Sequence, residues 1–190
     1  MDAMTRARPA STHTPERGSG GLSIRRIRRA DLPELEQFYA ALSPESRRTR
    51  FFAVGAGVSH GQSVSFCTPD HDHREGFVAI ADGPAQESDR QRIVGHLCLE
   101  PAGGHVAEVA IAVSDALQHQ GIGRRLMAAG VRWALGEGFT TLTATTYIGN
   151  APIHRLLTGL GWPAHAHDAG AGTEEITIDL RTSTSPATPS

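Results

Sequence analysis

The run Gln118-His119-Gln120-Gly121-Ile122-Gly123 joins an apolar, strand-like stretch at residues 106–113 to an amphipathic, helix-like stretch at residues 124–136. Two closely spaced glycines let a chain turn tightly and bring backbone N–H groups against an anion, and the helix that follows presents its positive N-terminal end. A strand, a glycine turn and a helix in this order point to a phosphorylated ligand at the turn, and the order of strands and helices along the rest of the chain implies an α/β layer structure.

Several ligand-binding turns share this outline, and the lysine count separates them. All 18 of the Lys+Arg residues are Arg, so the chain cannot place a lysine on the β/γ-phosphates as a Walker A loop does. A lysine Schiff base is excluded on the same ground. A dinucleotide fold calls for GxGxxG after a first strand, yet Leu126 stands three residues beyond Gly123 and the turn lies mid-chain.

What remains is Q/R-x-x-G-x-G/A after the strand Ala107-Glu108-Val109-Ala110-Ile111-Ala112-Val113. This resembles the acetyl-CoA-binding motif of the GNAT superfamily of N-acetyltransferases. The resemblance continues through Asn150 to Leu156-Leu157-Thr158-Gly159-Leu160-Gly161-Trp162, similar to the family's closing N…LYxxLGF segment, and so spans roughly the second half of the folded region. Upstream, the segment from Leu42-Ser43-Pro44-Glu45-Ser46 to Arg50-Phe51-Phe52 resembles the LSPES…RFF helix in the GNAT domain of bacterial protein-lysine acetyltransferases. Asp70-His71-Asp72-His73-Arg74-Glu75-Gly76-Phe77 is similar to the segment that follows it there.

With 190 residues the chain suits one domain with a substantial core. A hydrophobic content of 39%, a charged content of 20% and a net charge of −2 argue against a general nucleic-acid surface. No run approaches the length of a membrane span. Two cysteines, Cys67 and Cys98, without a secretory segment, read as reduced thiols in a cytoplasmic protein. The absence of lysine would spare a lysine-acetylating enzyme from modifying itself. A composition rich in Arg, Ala, Gly and Pro accounts for it without any function.

Residues 1–20 and 181–190 are rich in Ser, Thr, Pro and Gly and read as disordered tails around a domain at residues 21–180. Within it, residues 22–29 read as a strand, with Asp31 capping a helix through Leu35, Phe38, Tyr39 and Leu42, and Ser43-Pro44 starting another. Residues 55–72 read as irregular. Strands are expected at 77–81 and 93–99, as a hairpin joined through Asp82-Gly83-Pro84, and at 105–113, 140–146 and 174–180. The helix after the glycine turn gathers Ile122, Leu126, Ala129 and Trp133 on one face and ends at Gly136 and Gly138. The resemblance implies the same architecture independently: a single-domain GNAT fold with a mixed central sheet flanked by helices.

The resemblance also implies a site. Acetyl transfer to an amine needs the acyl group in reach, a neutral amine and stabilisation of developing charge. Gln118 and His119 open the motif, and the backbone N–H groups of Gln120, Gly121, Ile122, Gly123 and Arg124 would cradle the coenzyme A diphosphate. The Arg124 and Arg125 side chains add charge nearby. Ile111, Ala112 and Val113 map onto the strand that offers its backbone to the pantetheine arm, and Asn150 onto an asparagine that helps hold that arm. Glu108 matches an acidic strand residue that serves as base in some relatives, and it points away from the face shared by Val109, Ile111 and Val113. The same carboxylate can instead pair with an arginine at the sheet edge. The family's last-helix tyrosine, a general acid in many members, is Leu157 here.

The expected partners are acetyl-CoA and an amine, either a protein lysine or a small amine such as a polyamine, an aminoglycoside or an amino acid. A regulatory acyl-CoA-binding module without turnover is the other reading, and a monomer and a homodimer both remain open. The Asp70–His73 and His165–Asp168 clusters lack the spacing of a metal centre, so no metal is expected. Asp70, Asp72 and Glu75 could attract a cationic amine toward the site mouth.

Overall fold

Strands β3 (Glu75–Ala81) and β4 (Arg92–Pro101) are buried on both faces, which explains why their sequences read as nearly continuous apolar runs. In β3, Phe77 and Ala79 join one core cluster while Val78 and Ile80 join a second on the opposite side of the sheet. A computed structural model describes residues 16–18, 21–52, 58–81 and 92–182.

The elements in chain order begin with β1 (Glu16–Gly18), β2 (Leu22–Arg26), α1 (Leu32–Ala41), α2 (Pro44–Phe51) and α3 (His60–Cys67). They continue through β3, β4, β5 (Val106–Val113), α4 (Ile122–Gly136), β6 (Thr141–Tyr147), α5 (Ala151–Thr158), β7 (Ala164–Gly170) and β8 (Thr173–Asp179). Among the described residues the sheet has 8 strands in the order β1-β2-β3-β4-β5-β6-β8-β7. Each neighbouring pair is antiparallel apart from β5 and β6, which α4 joins as a parallel crossover.

Helix α4 covers one face of the sheet. Ile122, Leu126, Ala129 and Trp133 are all buried, as the spacing predicts, and Met127, Val131 and Ala134 widen the apolar stripe. On the other face, α1 buries Leu35, Phe38 and Tyr39 together with Cys67 of α3. No described helix is long and apolar enough to cross a membrane.

Two local expectations are corrected and one strand is added. The stretch at 55–72 contains α3, whose start is a capping box: Gln62 N–H donates to Ser59 Oγ while Ser59 N–H donates to Gln62 Oε1 at 3.0 Å. Asp31 does not cap α1 with its side chain. Its carboxylate instead takes both Arg25 guanidinium nitrogens at 2.7 Å and the Arg28 N–H at 2.8 Å. Strand β7 is an exposed edge strand that escapes pattern reading because Ala-His-Ala-His-Asp-Ala-Gly shows no apolar alternation.

The expected turn at residues 82–84 and most of both expected tails lie outside the described residues. Residues 16–18, placed in the N-terminal tail by composition, pair as β1 with β2.

Leu126 is fully buried between α4 and the sheet. Leu126→Ala is expected to lower the unfolding free energy by about 2–5 kcal/mol, read as a lower urea midpoint with an unchanged slope.

Candidate active-site cleft

Strands β5 and β6 are paired over three positions only, Val106 with Thr141, Ala107 with Leu142 and Glu108 with Thr143. Beyond these, β5 continues along β4 as far as Gly95 opposite Val113, and β6 continues along β8 as far as Tyr147 opposite Thr173. The facing edges therefore part after Glu108. A cleft of about 990 Å³ opens between them, bounded by α2, the start of α4 and α5.

The turn that closes one end is built from unusual backbone. His119 has φ 62° and Gly121, the residue before α4, has φ 81°. The second value explains a glycine there, since a side chain is strained in that conformation. At Gly123 the requirement is space: a Cβ would come within 3.3 Å of Leu156 in α5. Helix α4 carries no side-chain cap, unlike α2, α3 and α5, which are capped by Ser43, Ser59 and Asn150. Its first N–H groups are thereby left to an anion from the cleft.

Most of the residues singled out in the sequence meet here. Glu108, Ile111, Ala112, Val113, Gln118, His119, Gly121, Ile122, Gly123, Arg124 and Asn150 all line the cleft. Two do not. Gln120 Nε2 donates to Ala116 O at 3.4 Å, and Arg125 Nη2 donates to Leu22 O at 3.0 Å, which carries that charge toward β2 and away from the turn. Asn150 caps α5, and its Nδ2 donates to Thr146 Oγ1 at 2.8 Å. Leu157 is fully buried and supplies no proton.

Glu108 is exposed to the cleft on the face opposite Val109, Ile111 and Val113. Its cross-strand neighbour on β4 is Glu100, and two carboxylates in that register repel. Arg74 resolves the conflict by gripping both oxygens of Glu100, with Nη2 at 3.0 Å. Among the described residues no hydrogen bond or ion pair holds the Glu108 carboxylate itself.

The acidic loop expected at the site mouth lies elsewhere. Asp70 Oδ1 accepts the backbone N–H groups of Asp72, His73 and Arg74 at 2.8–3.0 Å, and these bonds, that of Arg74 foremost, hold its carboxyl below the usual range. Glu75 is 1% exposed and bound to Arg26 at 3.0 Å, to Gly76 N–H at 2.9 Å and to His71. Neither aspartate of the pair nor Glu75 borders the cleft. Among the described residues no group of three or more His, Cys, Asp or Glu side chains could hold a metal.

Pattern reading missed what α2 does. Ser43 N–H and Oγ donate to Asp115 at 2.9 and 2.8 Å, and Ser46 Oγ donates to the same carboxylate at 2.6 Å. Gln118 Nε2 reaches Ser46 Oγ and Val113 O, both at 3.3 Å. The Ser-Pro-Glu-Ser start of α2 thus clasps the segment between β5 and the glycine turn. Farther along, the Arg48 guanidinium lies 4.5 Å from the centre of the Tyr147 ring, and Phe52 packs on the same ring at 5.3 Å. These contacts join α2 to the end of β6 across the cleft. The signal was present in the serine spacing, but its partner stands some 70 residues away.

Residues 32–162 match the Acetyltransferase (GNAT) family. The fold is similar to that of the GNAT domain of S. lividans PAT, with a TM-score of 0.72 at 23% identity over 84% of this chain and 90% of that one. It is also similar to yncA from Salmonella typhimurium, solved with its cofactor acetyl-CoA, with a TM-score of 0.66 at 17% identity over 90% and 99% of the two chains. Ribosomal-protein-S5-alanine acetyltransferase from Vibrio fischeri gives a TM-score of 0.66 at 14% identity over 93% and 100%.

Partial burial opposes ionisation of Asp115, yet the hydrogen bonds from Ser46 and Ser43 outweigh it and hold the carboxyl below its ordinary value. A depressed folded-state pKa stabilises the fold above the unfolded value near 3.9, and that stabilisation is lost as pH falls through the folded value. The carboxylate is solvent-exposed, which screens these bonds, so Asp115→Ala is expected to cost about 0.5–1 kcal/mol at neutral pH. In denaturation curves recorded across pH 2–7 the deficit should shrink at the acid end.

Proposed function

The chain belongs to the GNAT acetyltransferase family, and from that premise we propose that it transfers an acetyl group from acetyl-CoA to a primary amine by direct attack in a ternary complex, with a protein lysine as acceptor. The observation that carries this reading is the parting of β5 from β6 directly after Glu108, which puts an unpaired carboxylate and an uncapped helix N-terminus on one cleft.

Acetyl-CoA is the co-substrate. The residues present fit it: the N–H groups at the start of α4 and the Arg124 side chain suit a diphosphate, and the unpaired β5 edge at Ile111, Ala112 and Val113 suits an amide-bearing arm. Bound there, acetyl-CoA supplies the thioester carbonyl, at which a C–N bond forms as the C–S bond breaks. Glu108 takes the proton that the amine must lose, directly or through one water, because an unperturbed lysine pKa near 10.4 leaves the amine mostly protonated at neutral pH. With Leu157 in place of the family tyrosine, the departing thiolate takes its proton from solvent.

A lysine acceptor is supported by the likeness of α2 to its counterpart in protein-lysine acetyltransferases. It is also supported by the apolar rim of the cleft. Phe52 and Ile148 are 40% and 57% exposed beside Tyr147, a surface suited to the aliphatic stem of a long amine. The setting proposed is the cytoplasm.

The test is release of free thiol from acetyl-CoA against lysine peptides and small amines. Since the chain has no lysine, acetyl-lysine formed in the assay belongs to the acceptor. Glu108→Gln is expected to lower kcat by about 10²–10⁴-fold while acetyl-CoA still raises the melting temperature. Thiol release with small amines and not with lysine peptides moves the acceptor to that class. Stabilisation by acetyl-CoA with no release for any amine identifies a binding module instead.

A further inference from the structure

We infer that Arg50 is a positioning residue for the transfer: its guanidinium, held on Cys98 Sγ in the cleft that Glu108 also lines, offsets the carboxylate's hold on an incoming ammonium so that the amine is delivered neutral. This rests on the transferase reading above and assigns a role that reading does not require.

Arg50 closes the last turn of α2 and borders the cleft with Glu108. Its guanidinium lies 4.8 Å from the Phe51 ring centre and 5.5 Å from that of Phe66, and Nη2 donates to Cys98 Sγ at 3.1 Å. Among the described residues, Nε is buried with no hydrogen-bond partner and no carboxylate lies within ion-pair distance of the guanidinium. A cation in such a place needs a counter-charge nearby.

The groups packed around Arg50 narrow the choice. From α1, the Tyr39 hydroxyl shares a 2.7 Å hydrogen bond with His96 Nδ1 of β4. Burial raises the Tyr39 pKa well beyond its usual range. Burial, with help from the Arg50 charge, pushes His96 down to about 3, so both are neutral. On β4, burial also raises the Cys98 thiol, and Glu100 is taken by Arg74. In α3, burial pushes Cys67 up to about 11. From β6, Tyr147 is covered by Arg48, whose charge is paired with Glu45 at 3.0 Å. Cys98 and Tyr39 act on Arg50 most strongly, and Glu108 is the carboxylate among the groups that do.

Glu108 by itself would stabilise the ammonium in the ground state, and an interaction as strong before reaction as during it does not accelerate transfer. A neighbouring cation disfavours the ammonium and leaves the carboxylate available for the proton in flight.

The experiment compares the parent with Arg50→Lys, which keeps the charge, and Arg50→Met, which keeps an apolar stem between Phe51 and Phe66. Arg50→Gln is a second neutral variant. Acetyl-CoA-induced thermal stabilisation certifies folding. Each neutral variant should lose about tenfold in kcat at pH 7 without a rise in KM for the lysine peptide, and its kcat–pH curve should move up by about one unit. Arg50→Lys should restore the parent curve. A thialysine peptide, whose amine is less basic, should erase most of the neutral variants' loss. Neutral variants with the parent's pH curve, an Arg50→Lys curve matching theirs, or equal fractional losses on lysine and thialysine would overturn the role of Arg50. A parent without turnover, or turnover indifferent to Glu108→Gln, would overturn the transferase reading itself.

Discussion

The cleft exists because β5 and β6 share only three paired positions before they part. Parallel strands joined by a helix normally pair along their length, and buried backbone groups left unpaired are costly. Here each strand keeps its other neighbour to the end, β5 against β4 and β6 against β8, so the sheet stays whole while one internal seam opens. The β5 edge from Val109 to Val113 then faces the cleft, where a ligand can satisfy it. Gly123 belongs to the same arrangement, because its missing side chain leaves room for Leu156 of α5 at the start of α4.

Helix α2 makes the two halves of the cleft one unit. Its N-terminus is clasped by Asp115, ahead of the glycine turn, while its C-terminal turn carries Arg48, Arg50 and Phe52 to the opposite part of the cleft. A helix this polar, with no fully buried residue, gains little from core packing. It is held by hydrogen bonds, ring contacts and one guanidinium–thiol contact. One helix therefore shapes the segment before the glycine turn and also brings Arg50 to the cleft that Glu108 lines.

How much was legible follows from which forces leave local traces. Helix α4 could be read because its apolar stripe repeats at helical spacing, and the face of Glu108 because β5 alternates. Helix α3 and strand β7 could not: α3 is held by a capping box and a few contacts, and β7 buries almost nothing. The motif marked a turn whose residues mostly line the cleft, yet it could not tell that Arg125 reaches back to Leu22 or that the Gln120 side chain faces Ala116. Proximity in sequence likewise misplaced Glu75 at the site, whereas its carboxylate is spent on Arg26, His71 and Gly76. The α2 contacts join residues far apart along the chain, and no local pattern encodes them.

The most direct test of the account is amide hydrogen exchange of residues 109–124 with and without saturating acetyl-CoA. Binding in the seam predicts slowed exchange at Ile122, Gly123 and Arg124 and along the unpaired edge of β5, with β7 unchanged. Exchange in both segments unaffected by acetyl-CoA would contradict the assignment of the β5–β6 seam as the coenzyme cleft.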